Sequence, residues 1–176
     1  MANRDNPHGL MPIGRTIDGG EPLIKSFSKD ASEATALFVW DVVNREADGN
    51  LADGGTPGTT TYTGVNLNYG AGSALTTHLV VVSPGALFVA QDNNDTNGFD
   101  AADMGLNVNF EFNAGSTDTL ISGHELDEST VNTTSTLDAK MLEIWDKPDN
   151  AAGANVDVVV LINKHRLSQG AGTAGV

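Results

Sequence analysis

Apolar and polar side chains alternate most cleanly over residues 106–112, LNVNFEF. Leu106, Val108, Phe110 and Phe112 fall on one parity, Asn107, Asn109 and Glu111 on the other. A period of two marks a strand with one buried face. Residues 65–69 alternate in the same way. Residues 36–43, ALFVWDVV, are apolar on both parities except at Asp41. That predicts a central strand covered on both faces, with Trp40 in the core. Residues 78–82 and 86–91 predict two strands joined by the turn Ser83-Pro84-Gly85. Short runs at 23–27, 139–145 and 156–164 bring the count to eight or nine strands, and residues 46–61 read as a turn-rich loop. No apolar pattern sustains three helical turns; at most residues 100–104 supply one. Many short strands between Gly-rich turns predict an all-β fold, a single-domain β-barrel or β-sandwich over residues 23–176.

Residues 1–22 follow neither period. Pro7, Pro12 and Pro22 with Gly9, Gly14, Gly19 and Gly20 forbid a long helix, yet Leu10, Met11, Ile13 and Ile17 are apolar. This pattern predicts an extended N-terminal arm that buries those side chains on its own body or on a neighbour. Of the two, the expectation is a neighbouring subunit or partner protein, with Leu10, Met11 and Ile13 as anchors. Arg4 and Arg15 would face acidic groups there.

Charge sharpens that expectation. Nine Lys and Arg stand against 23 Asp and Glu, a net charge of −14. Such a chain is repelled by phosphate backbones and by anionic lipid, so neither nucleic acid nor membrane is an expected partner. From residue 30 to residue 139 the only cation is Arg45, against sixteen acids. The body is acidic and the cations cluster toward the termini. The 176 residues include no cysteine, which excludes disulfides, zinc–thiolate sites and cysteine nucleophiles. A chain of this length buries roughly 70% of its unfolded surface and needs no staple. No apolar run nears the span of a bilayer, and the first 30 residues lack a signal-peptide pattern.

Little of the remaining pattern points to chemistry. His8, His78, His124 and His165 have no metal-ligand spacing. Nucleophile-elbow, phosphate-loop and zinc-protease motifs are absent. The expectation is a non-enzyme without a cofactor. One loop, DNNDTNGFDAAD from 92 to 103, has the oxygen-rich spacing of a calcium loop, with Asp92, Asn93, Asp95 and Asn97 as first ligands. Counted from Asn93, which puts Gly98 at the sixth position, it lacks the bidentate acid at the twelfth, which is Met104. An acidic turn is the expected outcome. In residues 141–145, Met141 and Trp145 share the parity of Glu143, which marks them as candidate subunit contacts.

The order of segments resembles a family of tailed-bacteriophage capsid decoration proteins, also called cement or head-stabilising proteins. The opening Asn3, Pro7, Gly9, Leu10, Pro12, Ile13 and Gly14 is similar to the family's N-terminal arm. ATALFVWDVV at 34–43 is similar to its A-T-A-L-F-x-G-D-x-V pattern, with Trp40 in place of the small residue. Leu87 to Gln91 resembles its strand before a polar loop. Leu126-Asp127, Pro148-Asp149-Asn150, Gly153-Ala154-Asn155 and the ending Ile162-Asn163-Lys164-His165 follow its order. Residues 44–75 depart from the pattern apart from 62–69. The resemblance implies a virion structural protein on the outer capsid surface that bridges capsomers. Its implied partners are the major capsid protein and itself, as a homotrimer. A carbohydrate- or host-binding module of a head fibre or tail is the alternative.

Overall fold

The computed structural model describes residues 3–95, 97–168 and 175. Among these the chain is all-β, with eleven strands in two sheets and no helix. The first sheet runs β1 (Met11–Thr16), β7 (Ala86–Gln91), β11 (Asp157–Ile162), β10 (Ala139–Ile144), β8 (Asn107–Glu111), β9 (Glu125–Asn132). The second runs β2 (Ile24–Lys29), β6 (Thr76–Val81), β5 (Gly64–Asn66), β3 (Val42–Arg45), β4 (Leu51–Asp53). Neighbouring strands are antiparallel throughout both sheets. The sheets stack as a sandwich, and the first curls: the Asn93 amide donates to the Leu126 carbonyl at 3.1 Å, joining the end of β7 to β9.

The main core lies between the sheets. Val42, Val65 and Val81 meet Phe88, Val108, Phe110, Leu126, Met141, Val158 and Val160. The opposite parity of the second sheet is also covered. Val43, Leu51, Val80 and Val82 form a smaller core with Leu37, and Phe27 packs on it. That double burial explains why Val42 and Val43 are both apolar.

Three expectations need correction. Residues 36–43 are not one strand. Trp40 takes a left-handed φ of 73° and breaks the run, so only the part from Val42 pairs as β3. Trp40 is half-buried against the core rather than within it. Second, β4 lies inside the stretch read as loop, and β9 is too polar to register as a strand by its apolar residues.

The third concerns the arm. Among the described residues of 1–22 (Met1 and Ala2 lie outside them), the chain does not leave the body. Met11 to Thr16 forms β1 and pairs with β7, Met11 opposite Val89 and Pro12 opposite Phe88. Leu10 is fully buried in the main core. Its amide donates to the Trp40 carbonyl at 2.9 Å, and Gly9 donates to the His124 carbonyl at 3.1 Å. Gly9 has φ +70°, and a Cβ there would lie 2.4 Å from Ser122 Cβ, so only glycine passes this point. The prolines and the irregular register between Pro12 and Thr16 hid an edge strand, the one place in a sheet where proline is tolerated.

Candidate functional site

The residues expected to make contacts divide into two groups. Leu10 and Met141 are fully buried in the protein's own core, so neither is an anchor for a neighbour. Met141 sits on the apolar face of β10 because the register against β11 slips between Met141 and Glu143, which reverses the parity read from sequence. Met11 and Ile13 are half-buried on β1, while Arg4 and Arg15 are exposed. Trp145 is half-buried with the Lys147 ammonium 5.2 Å from its ring centre.

Arg4 and Lys147 border a cavity of about 350 Å³, with His8, Gln91, Asn150 and Asp157 also in its wall. The N-terminal segment roofs it: Asn3 donates to the Ala151 and Ala154 carbonyls, each at 2.8 Å. Gln91 receives the Asn6 amide at 2.7 Å and donates to the Arg4 carbonyl at 3.0 Å. Burial alone would raise the Asp157 carboxyl, but hydrogen bonds and charge from His8 and Lys147 hold it below the usual range.

In the 92–103 loop, Asp92 and Asn93 are turned inward. Asp92 is fully buried, and its Oδ2 accepts the Asn155 amide at 3.1 Å. Burial pushes its carboxyl up to about 6. Asn93 Oδ1 accepts the Asp95 and Glu128 amides at 3.3 and 3.2 Å, and its Nδ2 donates to Glu111. Asp95 and Asn97 are exposed. The group of three acid or histidine ligands found among the described residues lies elsewhere. Asp92 and Asn93 serve the junction of β7 with β9.

A different set does converge: Asp41, Asp53 and His124 offer ligand atoms within 4.8 Å of one another. The Asp41 and Asp53 carboxylates lie 3.5 and 3.3 Å from His124 Nε2. Both facing oxygens are buried without a hydrogen-bond partner. Asp41 is anchored by the Phe38 amide at 2.6 Å, and burial pushes its carboxyl up to about 6. The tautomer decides what this group can do. The Val42 amide donates to His124 Nδ1 at 3.2 Å, so in the neutral ring the proton is on Nε2, between the carboxylates. A metal-bound imidazole instead needs Nε2 bare and Nδ1 donating to an acceptor. The donor set therefore does not suit a cation at Nε2. Nor does the space suit a substrate: the adjoining cavity holds about 180 Å³, below the roughly 300 Å³ of small-molecule sites. The cluster ties the segment before β3, the end of β4 and the approach to β9 together. Its three residues lie 83 positions apart in sequence at the extremes (41 to 124), and no local spacing announces them.

One flank gathers four of the exposed large apolar side chains. β1 and β2 are the edge strands of their sheets, and the turn between them runs beside the β6–β7 connection. The Ile17 amide donates to the Gly85 carbonyl at 2.8 Å and the Leu23 amide to Ser83 Oγ at 2.7 Å. Ile17 is 61% exposed, Leu23 51%, Ile24 50% and Leu79 48%. Ile24 lies opposite Val81 and Leu79 opposite Ser26, so Ile24 and Leu79 share one face of the β2–β6 pair.

Comparison with family models, with curated proteins and with solved structures finds no match.

Proposed function

We propose that this protein is a non-enzymatic structural component of a tailed-phage virion that attaches to the outer capsid surface and bridges capsomers. One observation carries the reading: the flank formed by β1, β2 and the β6–β7 connection. Two sheet edges and the exposed Ile17, Leu23, Ile24 and Leu79 lie together there. Unpaired edges accept strands from other chains, and clustered exposed apolar side chains are unusual unless they are covered in use. Arg15 and Lys25 add positive charge on the same edge strands. The order of segments that resembles decoration proteins supports the same reading. An acidic remainder suits an outward face away from packaged nucleic acid. The likeness to that family extends to a trimer, in which the flank would meet a second copy or the major capsid protein.

The test is sedimentation of purified protein with capsids assembled without it. Saturable attachment is expected, weakened at least tenfold by Ile17→Lys with Leu79→Lys. Absence of attachment contradicts the proposal.

The second reading, a host-glycan module, draws on the polar cavity of about 350 Å³ beside Arg4 and Lys147. Among the described residues no Phe, Tyr or Trp lines that cavity, and sugar faces are held largely by apolar contact with such rings. Capsid attachment is therefore the better supported function.

A further inference from the structure

Three of the nine cations in this acidic chain meet at one place. Lys25 on β2, Arg45 at the end of β3 and Arg166 beyond β11 line a cavity of about 150 Å³. Its remaining wall is Phe27, Val82, Leu167 and Thr63. Arg45 is the lone cation between residues 30 and 139. None of the ion pairs among the described residues uses Lys25, Arg45 or Arg166.

The site is built rather than incidental. The Arg45 guanidinium lies 5.8 Å from the Phe27 ring centre, and its Nε donates to the Gly49 carbonyl at 2.8 Å. Arg166 Nη2 donates to the Arg45 carbonyl at 2.6 Å, and the Arg166 amide to the Tyr62 carbonyl at 2.7 Å. These bonds hold both guanidinium groups beside the cavity while leaving other N–H donors free. Thr63 is 5% exposed and its Oγ1 has no hydrogen-bond partner. A buried hydroxyl without a partner costs stability unless something binds it. Leu167 is 55% exposed at the rim, and Phe27 and Val82 make an apolar floor.

We propose that this cavity binds an acidic peptide segment of a partner protein, an aspartate or glutamate flanked by an aliphatic residue. The carboxylate accepts from Arg45, Arg166, Lys25 and the Thr63 hydroxyl. The aliphatic side chain covers Phe27 and Leu167. Charge complementarity selects this occupant: three cations around a small apolar floor reject a basic or neutral polar segment, which would leave the cations desolvated and unpaired. The cavity lies on Phe27 and Val82, on the side of the second sheet away from the main core. The proposal stands without the capsid reading.

The experiment is fluorescence anisotropy of the whole protein with a labelled peptide, glycine-leucine-aspartate-leucine-glycine, with both ends blocked. Binding is expected. Lys25→Gln and Arg166→Gln should each weaken it about tenfold, one charge-assisted hydrogen bond's worth. Their melting temperatures should match the native protein, because both side chains are exposed. The asparagine version of the peptide should not bind. Three outcomes overturn the proposal. One is equal affinity for the asparagine peptide. Another is unchanged affinity in both variants. The third is complete displacement by millimolar acetate or phosphate, which would make this a small-anion site only.

Discussion

Two sets of three charged or titratable side chains invite comparison. Asp41, Asp53 and His124 are gathered inside the protein with their polar atoms facing one another. Lys25, Arg45 and Arg166 are gathered at the surface, in none of the ion pairs among the described residues. Both sets are drawn from distant parts of the chain. The difference lies in where the unmet electrostatic demand points. In the interior set the imidazole faces two carboxylates at 3.5 and 3.3 Å, and the cluster brings three segments together. In the surface set the demand points outward, toward a ligand. Changes to the first should therefore appear in stability, and changes to the second in binding.

The largest effect is expected from removing the imidazole. His124→Ala leaves Asp41 and Asp53 facing each other and the Val42 amide without an acceptor. Breaking such a buried arrangement costs about 4 kcal/mol. Equilibrium unfolding in urea measures it, and a loss under about 1 kcal/mol would mean the cluster holds nothing. Next comes Leu10→Ala, about 3 kcal/mol for a fully buried leucine. That experiment separates a segment that belongs to its own core from an arm that serves a neighbour. An arm would leave the melting curve in place.

The third effect depends on pH. Burial raises the Asp41 carboxyl to about 6 from 3.8. A carboxyl raised in the folded state contributes its stability below the unfolded value and loses it as pH climbs through the folded one. A rise of that size corresponds to about 2–3 kcal/mol. The stability difference between the native protein and Asp41→Asn should thus move toward the variant by that amount as pH is taken from about 4 to about 7. Urea titrations at three pH values check it, and a constant difference rejects it. Asp92 and Glu125, raised by burial to about 6 and about 7, tilt the native curve the same way. His165, lowered by burial to about 4, tilts it oppositely, since it must stay neutral to remain folded. The difference between native protein and variant cancels these common slopes. The smallest stability effect belongs to the surface set: Lys25→Gln and Arg166→Gln should each change unfolding free energy by less than about 0.5 kcal/mol. A larger loss would show that these cations serve the fold.

The all-β architecture was legible because alternation survives wherever one face is buried. The strand expected at 86–91 is β7 as observed, and those at 139–145 and 156–164 are β10 and β11 with frayed ends. β9 was hidden because its outer positions carry Asp127, Glu128, Ser129 and Thr130, so hydrophobic pattern is thin there. β1 was hidden by Pro12 and Gly14, which break a period without breaking an edge strand. Met141 was misplaced because a register slip changes which parity is buried, and a slip leaves no trace in composition. The interior set was illegible for another reason: Asp41, Asp53 and His124 become neighbours only through sheet topology. Arg45 carried a readable signal, as a lone cation in an acidic stretch, but its partners Lys25 and Arg166 did not.

Attachment through the β1–β2 flank is the property on which the proposed function rests. The most direct measurement compares three proteins in sedimentation with capsids that lack it: the native chain, Ile17→Lys with Leu79→Lys, and Asp53→Asn. Asp53 lies on β4 and is not one of the exposed apolar residues of the flank. Saturable attachment is predicted for the native chain and for Asp53→Asn, and at least tenfold weaker attachment for the flank variant at an unchanged melting temperature. Equal attachment by the flank variant, or none by the native chain, would contradict it.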